Sequence, residues 1–211
     1  MSTLSGENEG ECLIIFTRYP EPGKTKTRLI PVLGAEGAAT LQRQMTEDKL
    51  AEVKKLQAFY PLPVEVHFAG GNELLMQDWL GSDVTYRRQS EGDIGCRMVS
   101  AFQVSFEAGM DSVVLIGTDC PDLNAPLMAQ AFQVLHQHDL VLGPAQDGGY
   151  YLIGLHRLIP ELFTGISWST VEVLQQTQSI AQRLELAVAY LPLLRDVDRP
   201  EDLSVWNPTN L

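Results

Sequence analysis

Apolar positions along the chain fall into two alternating rhythms. Cys12–Phe16 is a continuous apolar run of strand length, and Ala35–Leu56 then places Leu41, Met45, Leu50 and Val53 at helical spacing. Pro63–Phe68 alternates as a strand and ends at Gly70-Gly71. A short helix is expected over Glu73–Leu80, a strand over Val84–Arg88 and a helix over Ile94–Ala108. Ser112–Gly117 is the clearest buried strand, apolar, β-branched and closed by glycine. Helix follows over Leu127–His136, then strands at Leu140–Leu142 and Tyr150–Gly154 around a turn. Thr170–Gln182 reads as helix, Leu186–Tyr190 as a late strand and Glu201–Trp206 as a short closing helix. Repeated β-α units predict an α/β fold with a mainly parallel sheet covered on both faces. The close pair of strands around 140–154 predicts an antiparallel departure from that regularity.

Composition adds boundaries to this picture. At 211 residues, without a repeat or a composition break, one domain over 12–211 is expected, preceded by a polar, acidic, flexible tail over 1–11. The tail has no basic-then-apolar order, so no signal peptide is expected, and no apolar run reaches the roughly 20 residues of a membrane span. Cys12, Cys96 and Cys120 are odd in number and widely spaced, which predicts buried free thiols in a reducing cytoplasm. A net charge of −12 argues against non-specific nucleic-acid binding, which needs a broad basic surface.

Against that acidic background, Arg18, Lys24, Lys26 and Arg28 crowd one loop directly after the first strand. Ligands of open α/β sheets bind at the carboxyl ends of strands, so the loop is a candidate phosphate clamp. Each cation–phosphate contact at ~4 Å and an effective dielectric of 20 is worth about 4 kcal/mol before desolvation. The alternative is a solvated basic loop balanced by nearby acids, of which Glu21 is the only one between 17 and 35. Gly23-Lys24-Thr25 is not a Walker A motif. Position 18 is Arg where that motif needs Gly, and Pro20 and Pro22 lack backbone donors.

Three further segments carry candidate chemistry. Asp119 stands just past the Ser112–Gly117 strand, placed either to bind Mg2+ together with phosphate oxygens or to cap the next turn. In Asp196-Val-Asp-Arg-Pro-Glu-Asp-Leu203, an extended backbone would turn Asp196 and Asp198 to one side, while Pro200 starts a helix. Asp198 is the candidate ligand and Asp196 a neighbouring alternate. Gly143-Pro-Ala-Gln-Asp-Gly-Gly-Tyr-Tyr151 is either a tight hairpin or a loop letting backbone approach a ligand. His136 and His138 are read as capping or solvent residues at a helix end, and Trp79 and Trp206 as packing residues.

Six segments taken in order carry a family resemblance: Phe16–Leu29, Gln89–Met98, Ile116–Pro121, Gly143–Gly154, Ile166–Thr170 and Asp196–Leu203. Together they resemble the GT-A-fold nucleotide-diphospho-sugar transferase superfamily. Within it they are most similar to the bacterial family named for association with radical-SAM/selenodomain proteins and often labelled glycosyltransferase. Molybdenum-cofactor and phospholactate guanylyltransferases are more distant relatives. The resemblance implies a Rossmann-like three-layer α/β/α sandwich, mostly parallel with an antiparallel strand. It also implies phosphate contacts from Arg18, Lys24, Lys26 and Arg28; backbone donors near Gly23 are expected beside them, and Lys24 and Arg28 are the expected catalytic cations. Asp119 matches the superfamily's metal-binding aspartate and Asp198 its second ligand, for Mg2+ or Mn2+. Gln89 and Gly92 fall where relatives read the nucleobase, while Asp93 and Arg97 lie in that segment without an assigned role. The Gly-x-Gly-Thr-Arg loop of sugar nucleotidyltransferases is replaced here by Pro20-Glu-Pro-Gly23.

Two reactions follow as expectations. In nucleotidyl transfer an acceptor phosphate attacks the α-phosphorus of a nucleoside triphosphate and pyrophosphate leaves. In glycosyl transfer an acceptor hydroxyl attacks the anomeric carbon of a nucleotide-sugar and a nucleoside diphosphate leaves. Asp147 is then the acceptor base, with Gly148, Gly149, Tyr150 and Trp168 lining the acceptor side. A non-catalytic nucleotide sensor or scaffold is the rival from another class. Acceptor, base and oligomeric state are not legible.

Overall fold

A computed structural model describes residues 10–204 and 206 of the chain; residues 1–9 of the expected tail, Val205 of the expected closing helix and residues 207–211 lie outside them. Its seven strands are β1 (Glu11–Arg18), β2 (Val64–Ala69), β3 (Thr85–Arg88), β4 (Ser112–Ile116), β5 (Leu140–Pro144), β6 (Tyr150–Leu155) and β7 (Val188–Tyr190). Its helices are α1 (Ile30–Phe59), α2 (Glu73–Leu80), α3 (Ile94–Glu107), α4 (Ala125–Leu135) and α5 (Val173–Arg183). The strands form one sheet in the order β3-β2-β1-β4-β6-β5-β7. β6 alone runs against the others, pairing antiparallel with β4 and β5. This is the expected single-domain, mostly parallel α/β fold.

Alternation along β1 divides the core. Leu13 and Ile15 face α1 and α4, packing with Leu50, Val53, Met128 and Phe132. Cys12, Ile14 and Phe16 face α3 and α5, packing with Met98, Phe102 and Ala181. A third, smaller cluster of Leu29, Ala38, Leu41, Met45 and Val197 lies where the start of α1 meets the late chain. Among the described residues no helix is long and apolar enough to cross a membrane.

The boundaries differ from expectation for local reasons. β1 begins at Glu11, one residue before the apolar run, because Glu11 pairs with Ser112 of β4. α1 carries a first turn from Ile30, broken at Gly34 (φ 71, ψ 170), a left-handed backbone that suits glycine. α4 starts two residues earlier than its apolar pattern, because the Asn124 side chain accepts the Leu127 N–H and Pro126 occupies the first turn. The closing helix is a 3-10 turn over Pro200–Ser204. Cys12 and Cys120 are buried free thiols as expected, but Cys96 is exposed because it sits on the outer side of the first turn of α3.

Candidate functional site

At the carboxyl ends of β1 and β4 opens a cleft of about 860 Å3. Its walls include the turn after β4, the β5–β6 hairpin, the start of α3, the segment from Trp168 to Val173 and the late chain from Arg195 to Ser204, with Arg28 from the basic loop. The late chain is sewn onto the hairpin and the β4 turn. Leu194 N–H donates to the Pro144 carbonyl, Gln146 N–H donates to the Leu194 carbonyl, and Val197 N–H donates to the Asp119 carbonyl at 2.8 Å. Val197 is fully buried in the small third cluster, so its extended neighbours Asp196 and Asp198 both turn towards the cleft.

The basic loop divides its four cations among different tasks. Lys26 is buried in a left-handed backbone conformation (φ 44). Its Nζ donates to Asp119 Oδ1 at 2.9 Å and to the Val197 carbonyl at 2.8 Å. It therefore clasps the turn after β4 to the late chain from below. Arg28 lines the cleft and pairs with Asp198. Lys24 turns outward to Glu21 at 2.7 Å and does not line the cleft. Arg18 is exposed at the end of β1 and Gly23 (φ 80) shapes the loop tip; neither borders the cleft. The Thr25 hydroxyl accepts the Glu21 N–H and faces the Tyr19 and Glu21 carbonyls, which fixes the loop. Acids distant in sequence thus balance two of the loop's four cations, Lys26 and Arg28, and Glu21 balances a third.

The other expected residues divide in the same way. Asp147, Gly149, Tyr150 and Trp168 line the cleft with Asp119 and Asp198. Asp147 Oδ1 accepts the Gly149 N–H at 2.7 Å, which closes the hairpin turn. Gly148 (φ 89) is enforced by its neighbour: a Cβ there would stand 2.3 Å from the Val171 carbonyl oxygen. Trp168 lies flat on Gly95, where a Cβ would meet the indole at 2.6 Å. The Tyr150 hydroxyl is buried beside that of Thr177 without a well-formed hydrogen bond, and burial pushes its phenol well above the ordinary range. Gln89 is spent on structure, donating to the Thr17 and His67 carbonyls. Gly92 (φ 104) accepts from Arg97 Nε, and neither Gln89 nor Gly92 borders the cleft.

Several residues escaped the sequence reading. Arg195 and Arg199 line the cleft. On α1, Gln42, Thr46 and Lys49 form a buried polar stripe beneath it. The Gln42 amide donates to Thr17 and Thr46 hydroxyls at 3.2 Å, and Lys49 Nζ donates to the Cys120 and Leu123 carbonyls. Burial pulls the Lys49 ammonium down to about 8. The available signal was their spacing: they share a helix face with Leu41, Met45 and Val53. The His138 ring meets the Val134 carbonyl at the end of α4, a capping contact, whereas the His136 ring pairs with the Glu11 carboxylate of β1.

In charge the cleft is acidic. Asp119, Asp147, Asp196, Asp198, Glu201 and Asp202 line it against only Arg28, Arg195 and Arg199. Burial, then repulsion from Asp147, Asp202 and Asp198, pushes the Asp196 carboxyl up to about 6. Among the described residues no group of three or more His, Cys, Asp or Glu side chains is arranged to hold a metal by itself. Asp119 and Asp198 each engage a cation through one carboxylate oxygen, Lys26 and Arg28 respectively. That donor set suits Mg2+, which takes one or two carboxylates plus substrate phosphates and water.

The model of the DUF2064 family, "Uncharacterized protein conserved in bacteria", matches residues 52–170. No curated protein matches the chain. Among solved structures, a provisionally named nucleotide-diphospho-sugar transferase from Desulfovibrio desulfuricans G20 has a TM-score of 0.87 and 38% identity, over 96% of this chain and 88% of that one. CMP:2-keto-3-deoxy-manno-octonic acid synthetase, complexed with CTP, has a TM-score of 0.56 and 12% identity, over 94% and 97%. Rv0371c from Mycobacterium tuberculosis H37Rv, complexed with manganese, has a TM-score of 0.54 and 14% identity, over 94% and 98%. The last two likenesses establish the fold alone. The fold is that of the GT-A-like nucleotidyl- and sugar-transferase superfamily, as the sequence resemblance implies.

Proposed function

The chain belongs to the DUF2064 family, and on that premise we propose that it is a divalent-metal-dependent transferase acting on a nucleoside triphosphate or a nucleotide-diphospho-sugar. The observation that carries this reading is the charge inventory of the cleft. Six carboxylates facing three guanidiniums repel a polyphosphate unless a divalent cation enters with it.

In this reading Asp119 and Asp198 would hold Mg2+ or Mn2+ together with substrate phosphate oxygens. The metal supplies neutralisation and polarisation of phosphate oxygens when bound. Arg28, Arg195 and Arg199 steady the phosphates, whose charge grows on the leaving group as the bond breaks. Lys26 acts beneath the site, fixing Asp119 relative to Val197. Asp147, at the tip of a hairpin locked by Gly148 and Gly149, takes the proton of the acceptor hydroxyl in the glycosyl version. Tyr150 and Trp168 form the apolar wall against which the acceptor is oriented. Lys24 and Lys26 are turned to acids, so the loop's cations do not choose between a triphosphate and a diphosphate, and both transfers belong to the proposal.

The test incubates the protein and Mg2+ with nucleoside triphosphates and nucleotide-sugars in turn, each with phosphorylated and hydroxyl acceptors. Release of pyrophosphate identifies nucleotidyl transfer and release of a nucleoside diphosphate identifies glycosyl transfer. Tight nucleotide binding with neither product across the panel overturns the enzyme reading in favour of a non-catalytic nucleotide-binding protein.

A further inference from the structure

Charge is unevenly supplied around the cleft. Its cations, Arg28, Arg195 and Arg199, come from the basic loop and the late chain. The lining contributed by α3 and by the segment from Trp168 to Val173 carries no charged side chain. Ile94 and Val171 stand there 37% and 73% exposed, and the half-buried Trp168 belongs to the same wall. Single exposed apolar residues are ordinary on any surface, but several gathered in one cleft mark a binding face.

Gly95 makes room for this wall. A Cβ there would stand 2.6 to 2.7 Å from the indole atoms Nε1, Cε2 and Cζ2 of Trp168, over the face of the ring. The missing methyl lets the indole lie back on α3, with its other face turned away from the helix. The segment that carries the ring is fixed in place. Gln176 of α5 accepts the Ser167 N–H at 2.7 Å and donates to Ser167 Oγ at 3.1 Å and Glu172 Oε2 at 3.0 Å. Ser169 is held at φ 65, a conformation that residues other than glycine seldom adopt. Leu174 N–H donates to the Gly148 carbonyl at 2.9 Å, and Gly148 abuts Val171. The wall therefore adjoins the hairpin tip that carries Asp147.

We infer that the acceptor is an uncharged hydroxyl compound bearing a flat apolar ring, and that Gly95 and Trp168 together set how large a ring fits; this rests on the transferase reading above. The ring stacks on the indole face turned away from α3 and covers Ile94 and Val171. An anionic acceptor meets no cation on these elements and is repelled by Asp147. A nucleobase needs donors and acceptors along its edge, whereas the side chains here supply only the Ser169 and Thr170 hydroxyls, and that of Thr170 donates to the Ser167 carbonyl. At about 860 Å3 the cleft lies near the upper end of small-molecule pockets, which leaves space for a ring beside a nucleotide. An uncharged acceptor selects the glycosyl version of the reaction. Its oxygen bonds the anomeric carbon, its proton passes to Asp147, and the nucleoside diphosphate leaves with the bonding electron pair.

The test titrates the full chain separately with 2-phenylethanol, glycerol, phenylacetate, adenosine and cytidine while following the tryptophan indole N–H resonances, with Trp168→Phe identifying the Trp168 signal. Millimolar 2-phenylethanol shifts that signal, phenylacetate binds about tenfold more weakly, and glycerol leaves it in place. Gly95→Ala keeps a good helix former in α3 but pushes the indole into the cleft. It weakens 2-phenylethanol binding about tenfold, measured by saturation transfer to the ligand's ring protons. Adding Trp168→Leu restores that binding, because the smaller side chain leaves room for the methyl, and a misfolded single variant would not be rescued in this way. The inference is overturned if 2-phenylethanol does not move the Trp168 signal, if glycerol or phenylacetate binds as tightly, if Gly95→Ala changes nothing, or if either nucleoside moves that signal at a lower concentration. Binding of 2-phenylethanol without any transfer product overturns the transferase reading and supports the ring site. Transfer to glycerol in preference to 2-phenylethanol overturns the inference and supports the reading.

Discussion

Replacing Lys26 by Met tests the clasp beneath the cleft, because it keeps the volume of the side chain and removes its two bonds. The lysine side chain is 3% exposed, whereas that of Asp119 is 46% exposed. Asp119 can therefore turn to water after the substitution and loses little by itself. The Val197 carbonyl cannot, since Val197 is fully buried, and an orphaned buried acceptor costs about 1–3 kcal/mol. Loss of the attachment between the β4 turn and the late chain brings the total to roughly 2–4 kcal/mol. At a typical urea m-value of about 2–3 kcal/mol/M the midpoint falls by about 1 M. Nucleotide affinity falls with it, because Asp119 and Asp198 lose their fixed spacing. An unfolding curve for Lys26→Met that overlays the wild type refutes the reasoning. So does a destabilised variant whose metal–nucleotide affinity is unchanged, since it would separate the clasp from the site.

Gly148→Ala drives a Cβ to 2.3 Å from the Val171 carbonyl at φ 89, and a loss of about 2–4 kcal/mol is expected. Gly165→Ala, at φ 74 with nothing within 4 Å, costs only about 1 kcal/mol, and thermal unfolding of the pair measures the difference. Lys49 supplies a pH signature. Its folded pKa of about 8 lies below its unfolded value near 10.5, so the unfolded chain holds more protons between those limits. Its contribution to stability therefore rises with pH across that window, by roughly 3 kcal/mol in full. Stability of wild type minus that of Lys49→Met, followed by urea titration from pH 8 to 10, should climb, and a flat difference contradicts the assignment.

The elements were legible because buried parallel strands read as apolar runs, and β1 and β4 are such runs between helices of clear period. The site was legible in its residue types but not in its wiring. Lys24, Lys26 and Arg28 look alike in the chain, yet one points outward, one is buried and one lines the cleft. The difference comes from partners far along the chain: Asp119 is 93 positions from Lys26, and Val197 is 171. Only the sheet order brings those segments together. Gln42, Thr46 and Lys49 were hidden for a related reason. Polar residues on an amphipathic helix are usually solvated, and these are buried because α1 passes under the ends of β1 and β4. Gln89 shows the converse, a polar residue in a family motif whose amide is taken up by backbone carbonyls.

The most direct test of the metal-dependent cleft is the free Mn2+ spin-resonance signal, titrated with protein in the presence and absence of each common nucleoside triphosphate and of a nucleotide-sugar. The account predicts that Mn2+ is taken up together with nucleotide by the wild type, and that uptake is lost when Asp119→Asn and Asp198→Asn are combined in a protein that still folds. Nucleotide binding that needs no divalent cation, or Mn2+ uptake unchanged in that double variant, contradicts it.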